Sequence, residues 1–166
     1  MATPLDTRIK PPIWTAALGL TQWLLAGRPS LRKRPGRVRF LAAGIAGTVT
    51  AAVGITALAQ FNRHETTFDP ETPELASALV TDGIYGYTRN PMYLALTGAL
   101  VTHAVWLGSL RAIPPVAALA VVLTAFQIRP EERALEQIFG DEYRDYMNQV
   151  PRWLGWPSEG KTPPGV

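Results

Sequence analysis

Residues 40–61 form an apolar run of 22 residues in which Gln60 is the only strongly polar member. A helix needs about 20 such residues to cross the hydrocarbon of a bilayer. Three more runs accompany it. Residues 13–26 are interrupted only by Thr15, Thr21 and Gln22; residues 92–110 contain His103; residues 113–128 follow almost at once. None alternates polar with apolar, and an isolated strand leaves its backbone unsatisfied in lipid. The shortness of the first and fourth runs would suit a soluble bundle with buried core helices. The length of the second run argues against it, as does the 17% of charged residues, against about 25% in soluble domains. The expected fold is therefore all-α: an integral membrane bundle of about four transmembrane helices (13–26, 40–61, 92–110, 113–128) in a single domain spanning 1–166.

Local signals refine this outline. Gly44, Gly47, Ala51 and Gly54 place small residues at helical spacing, which lets a neighbouring backbone approach. The link Arg111-Ala112 forces the third and fourth runs into an antiparallel hairpin. Pro114 and Pro115 suit the first turn of a helix, where backbone donors are unpaired anyway. Pro11-Pro12 followed by Trp14 lacks a small-residue cleavage pattern, so the first run reads as retained. Trp14 and Trp23 suit its two interfaces. Residues 62–91 are a polar loop in which 73–79 has room for one short helix. Residues 130–153 read as an amphipathic cap: Leu135, Ile138 and Phe139 share one face, and Tyr143, Tyr146, Met147 and Val150 another. Gly140 marks a break within it. Trp153 and Trp156 suit an interfacial anchor, and 158–166 a loose tail.

Several classes of function are excluded. The chain has no cysteine, hence no thiolate site, no disulfide framework and no cysteine nucleophile. His64 and His103 stand too far apart for a histidine metal cluster, and no metal is expected. A net charge of +3 suits a membrane surface but is too small to argue nucleic acid. Four spans put both termini and the 62–91 loop on one side. The opposite side carries Arg28, Arg32, Lys33, Arg34, Arg37, Arg39 and Arg111 with no acid. Basic residues near the spans orient membrane proteins, and this dense loop pulls against placing the termini inside. A cytosolic cosubstrate requires the termini and the 62–91 loop to be cytoplasmic. The expected location is a multi-pass protein of the cell inner membrane.

Two polar clusters flank the hairpin. The first is Arg89-Asn90-Pro91 before the third run. Asn as N-cap and Pro at the first helical position have a plain structural reading. The same helix start offers N–H groups and partial positive charge to a carboxylate or phosphate. Arg89 adds a full charge, and Tyr85, Tyr87 and Tyr93 supply rings for a base or a cation. Gly83 and Gly86 would let the loop approach a ligand closely. The second cluster is Arg129-Pro130-Glu131-Glu132-Arg133. Acids are common in a first helical turn, yet the hairpin brings these two level with Arg89 and Asn90. Arg129 and Arg133 can pair with them or hold an anionic substrate. His103, about 16 Å into its helix, reads as a packing residue.

Leu79-Val80-Thr81-Asp82-Gly83-Ile84-Tyr85-Gly86-Tyr87-Thr88-Arg89-Asn90-Pro91-Met92-Tyr93, an apolar hairpin, and then Glu-Glu-Arg-Ala-Leu-Glu-Gln-Ile-Phe-Gly-Asp-Glu-Tyr-Arg-Asp-Tyr over 131–146 resemble the isoprenylcysteine carboxyl methyltransferase family. More loosely they resemble its phospholipid methyltransferase relatives. The Thr-Thr-Phe-Asp-Pro stretch at 66–70 resembles bacterial members. The resemblance covers roughly 60–153. It implies an integral membrane enzyme that transfers methyl from S-adenosylmethionine without a Rossmann domain. Carried over, Ser77, Ala78, Leu79, Val80, Tyr85, Arg89, Asn90, Pro91, Met92 and Tyr93 line the cofactor pocket, and Glu131 holds the cofactor from the other helix. Glu132 and Arg129 are the candidate catalytic groups, with Glu132 or a tyrosine as base for a thiol or amine acceptor and no base needed for a carboxylate; Gln127 and Arg129 are the candidate substrate contacts. The departures are Asn90, where well-known members carry His, and Gln127, where they carry a substrate-binding Arg one turn before the glutamate pair. Asn cannot titrate near neutral pH, so no proton transfer is assigned there. The expected partners are the lipid bilayer and a lipophilic or small carboxylate or thiol acceptor. A phospholipid or amine N-methyltransferase, or a non-catalytic membrane binding or assembly protein, are the alternatives.

Overall fold

The computed structural model describes residues 9–29, 35–63 and 79–155. These are all helical or irregular; no strand occurs among them. The helices are α1 (Pro11–Leu25), α2 (Arg37–Arg63), α3 (Pro91–Leu107), α4 (Pro114–Leu123), α5 (Arg129–Phe139) and α6 (Asp141–Gln149). Short 3₁₀ turns at Gly83–Gly86 and Leu110–Ala112 join them. Ser77, Ala78, most of 62–78, Trp156 and the 158–166 tail lie outside the described residues.

Helix α2 packs lengthwise on α3, while α1 lies against both α3 and α4. The α2–α3 contact is close because its residues are small. A Cβ on Gly54 would sit 3.4 Å from Ala95 Cβ, and one on Gly98 only 2.6 Å from Thr50 Oγ1. The contacting stripe is Ala43, Gly47, Thr50, Gly54 and Ala57, at alternating spacings of four and three residues. Ala43 and Ala57 are buried on it. This corrects the expected stripe: Gly44 has no atom within 4 Å of an added Cβ, and Ala51 is exposed. Both point away from α3. The rest of α2 is bare: Ile45 is 67%, Val49 58% and Ile55 67% exposed. Apolar faces this large and continuous are unfavourable in water and are what a helix presents to lipid.

Among the described residues, two helices are long and apolar enough to cross a membrane, Arg37–Gln60 and Leu110–Phe139; Pro91–Leu107 is apolar but shorter. The second is continuous. The expected boundary between the fourth run and an amphipathic cap at 128–130 is absent, because α4 passes through a π-helical segment, Thr124–Ile128, directly into α5. Gly140 (φ 55°) then separates α5 from α6.

The α3–α4 turn depends on one glycine. Gly108 takes φ 61° after α3, and Arg39 Nη1 donates to the Leu107 carbonyl at 3.1 Å. A Cβ on Gly108 would lie 1.9 Å from that Nη1. Arg39 thus places its charge at the negative end of α3.

The main core joins Tyr93 and Leu100 of α3 to Leu119, Leu123 and Ile128, with Trp14, Leu18 and Trp153 packed against them. Trp153 is therefore a core-side residue rather than a purely interfacial one. Its indole donates to Thr124 Oγ1 at 3.2 Å. Gln22, fully buried, ties three segments together. Its Nε2 donates to the carbonyls of Leu100 (3.0 Å) and Ala112 (2.8 Å). Its Oε1 then accepts from His103 Nδ1 at 2.8 Å, which fixes the imidazole tautomer. His103 is a packing residue of this network.

Candidate functional site

The site region is built by three segments meeting at one end of the hairpin: the 79–93 stretch, the π–α5 junction, and residues 146–155. Pro91 begins α3 at its first position, fully buried. Asn90 precedes it but does not cap it with its side chain, which corrects the expected N-cap. Instead Asn90 N–H donates to Thr88 Oγ1 at 3.1 Å, and Asn90 Nδ2 donates to the Arg152 carbonyl at 2.9 Å. Thr88 Oγ1 donates to the same carbonyl at 3.4 Å. Arg89 N–H reaches the Pro151 carbonyl at 3.0 Å, and Gly155 N–H the Tyr87 carbonyl at 3.4 Å. The 151–155 segment is thus stitched to the start of α3. The N–H groups of Met92 and Tyr93 have no intrahelical acceptor, as in any first turn.

Glu131 and Glu132 sit side by side in unlike surroundings. Glu132 is buried and held by two guanidinium groups. Arg89 Nη2 approaches Oε1 at 2.8 Å, and Arg152 Nη2 approaches Oε2 at 2.6 Å with Nε at 3.0 and 3.2 Å. Arg89 also donates from Nη1 to the Met147 carbonyl at 3.0 Å. A carboxylate and a guanidinium so engaged anchor α5 to the loop. Glu131 instead accepts a hydrogen bond from the Tyr93 hydroxyl. It lies three residues beyond Ile128, past the apolar run. Tyr85 lies within reach of the same charge: burial first, then Glu131, raise its phenol. The Tyr146 hydroxyl donates to the Tyr85 carbonyl at 2.7 Å and fixes that turn.

Tyr85, Tyr93 and Glu131, expected on the cofactor, therefore converge. The other candidates are placed elsewhere around them. Val80 and Met92 pack with Ala57 and Tyr85, and Leu79 packs against Tyr143, Tyr146 and Val150. Arg89 and Asn90 are engaged as described. Arg129 is exposed. Gln127 is fully buried, with Nε2 donating to the Ile9 carbonyl at 2.9 Å. Gly83 does not open the loop to a ligand, since a Cβ there would meet Gln60 Nε2 at 2.0 Å. Arg152 and Thr88 are structural members to which the sequence reading gave no role. The one available signal was Arg152 itself, a lone cation inside Val150-Pro151-Arg152-Trp153.

Residues 39–142 match the model of the family described as phospholipid methyltransferase. The chain is 31% identical over 155 residues to the protein-S-isoprenylcysteine O-methyltransferase of Schizosaccharomyces pombe. That match covers 83% of this chain and 64% of that protein's length. It is 46% identical over 63 residues to an uncharacterized protein of Haemophilus influenzae, covering 38% of this chain and all of that one. The chain belongs to the phospholipid methyltransferase family, as a member similar to the isoprenylcysteine methyltransferases.

Proposed function

We propose that the protein is a multi-pass membrane methyltransferase that uses S-adenosylmethionine and binds it between the start of α3 and α5. In this reading α1, α2, α3 and the α4–α5 helix all cross or enter the bilayer, with the termini and the site on the cytoplasmic face. The observation that carries it is the convergence of Tyr85, Tyr93 and Glu131. A carboxylate set beside two phenol rings suits a cation, and aromatic rings suit a sulfonium or ammonium. The first-turn N–H groups of α3 suit a carboxylate. The residues present thus fit the cofactor, which supplies a methyl group whose bonding pair leaves with a neutral sulfur.

The chain's own work is alignment, exclusion of water and removal of a proton. Glu132, between Arg89 and Arg152, serves as a frame rather than as the base first assigned to it. Glu131 takes that assignment. Glu131 would hold the positive end of the cofactor, and it is the group placed to take the proton of a hydroxyl, thiol or amine acceptor. Asn90 holds the Arg152 carbonyl and needs no titration. Arg129, exposed at the helix edge, is a candidate contact for an acceptor arriving from the surface.

The test is methyl transfer from labelled S-adenosylmethionine by purified protein, with long-chain alcohols, thiols, carboxylates and amines and with phosphatidylethanolamine as acceptors. Transfer to at least one class, lost in Glu131→Gln, is expected. No transfer to any, with no cofactor binding, overturns the reading. Transfer to phosphatidylethanolamine alone would assign the amine-methylating alternative.

A further inference from the structure

Helix α2 runs antiparallel to α3 in a register that can be followed contact by contact. A Cβ on Gly47 would stand 3.5 Å from Thr102, one on Gly98 lies 2.6 Å from Thr50 Oγ1, and one on Gly54 meets Ala95 at 3.4 Å. One turn further along α2, Ala57 is buried with Val80 and Tyr85, and Met92 packs against them. The next turn brings Gln60 level with the start of α3. There its amide nitrogen lies against Gly83, 2.0 Å from where a Cβ would stand, in the turn that carries Tyr85. Tyr85 in its turn is close enough to Glu131 for that carboxylate to raise its phenol. Contacts therefore join Gln60 to the donor site from α2, a helix that supplies no other polar group there.

Gln60 is the only strongly polar residue of its apolar run and is 8% exposed. Its Oε1 is shielded from solvent and has no hydrogen-bond partner among the described residues. Gln22, the buried glutamine of α1, has both amide atoms matched. Buried polar atoms are as a rule hydrogen-bonded, and an open amide oxygen calls for a partner that brings an N–H or O–H.

We infer that Gln60 binds the adenine base of the methyl donor and reads its 6-amino group; this rests on the donor site between α3 and α5. The amide suits that base. It holds an acceptor oxygen and a donor nitrogen side by side in one plane, and adenine offers the complementary pair, an amino N–H beside a ring nitrogen. The other hydrogen-donating groups of the donor suit the position less. Its ammonium would set a full charge against an uncharged amide at a buried place, and a ribose hydroxyl engages only half of the amide. Glu131 and the first turn of α3 then remain for the sulfonium and the carboxylate.

The test is calorimetric titration of the protein in detergent with S-adenosylhomocysteine and with its analogue lacking only the 6-amino group. The wild type should bind S-adenosylhomocysteine about tenfold more tightly than the analogue, the worth of one hydrogen bond to a buried partner. Gln60→Met, apolar and of similar length, should bind S-adenosylhomocysteine about tenfold more weakly than the wild type does. It should hold the two ligands equally, with its melting temperature close to the wild-type value. Equal binding of both ligands by the wild type overturns the inference. So does a preference that survives in Gln60→Met, which assigns the amino group to another residue. A loss of affinity by the same factor for both ligands also overturns it, as expected if Gln60 only holds the turn at Gly83. Each of these failures leaves the donor site standing, whereas no binding of S-adenosylhomocysteine by the wild type strikes the donor site itself and this inference with it.

Discussion

The two ends of α3 treat buried polar groups in opposite ways. Toward its C-terminus, Gln22 spends both its amide nitrogen and its oxygen on Leu100, Ala112 and His103, and Arg39 closes the last turn on Leu107. Toward its N-terminus, Glu131 has a tyrosine hydroxyl, while Thr97 and Gln127 each carry an atom without a partner among the described residues. Polar groups that are completely matched hold helices together. The contrast separates scaffold from site within one helix.

The sharpest way to break this contrast lies in the frame between the two acids. Glu132→Ala leaves Arg89 buried without its counter-charge, and a broken buried pair costs about 3–5 kcal/mol. A fall in melting temperature of the detergent-solubilised protein, with loss of activity, is expected. An unchanged melt would show that the Arg89–Glu132–Arg152 network is dispensable. Gln22→Leu should come next, at about 2–3 kcal/mol, because it strands two carbonyls and His103. Its cofactor affinity should stay at the wild-type value. Gly98→Val, overpacking the α2–α3 contact at Thr50, should cost about 1–3 kcal/mol in the same melt; the same change at Gly44, which meets nothing, should be close to neutral.

The helical framework was legible in the sequence because apolar length and proline positions act locally. The hairpin at Arg111-Ala112, the start at Pro91 and the break at Gly140 needed no tertiary information. The face of α2 was not legible: Gly44 and Gly47 look alike in sequence, and only the orientation against α3 separates them. The fourth run and the amphipathic segment read as two elements because composition changes at Arg129, while the backbone continues through a π turn that composition does not encode. At the site, residue types indicated that Asn90, Glu131 and Glu132 mattered. They did not reveal that Arg152, 20 residues on, would occupy Glu132 and leave its neighbour to face Tyr93.

The most direct measurement is isothermal titration of S-adenosylmethionine into wild type, Glu131→Ala and Gln22→Leu in detergent. Saturable binding by the wild type, weakened about a hundredfold in Glu131→Ala and unchanged in Gln22→Leu, is predicted from the loss of a buried charge partner. Equal affinity in wild type and Glu131→Ala, with both proteins folded, would contradict the placement of the donor between α3 and α5.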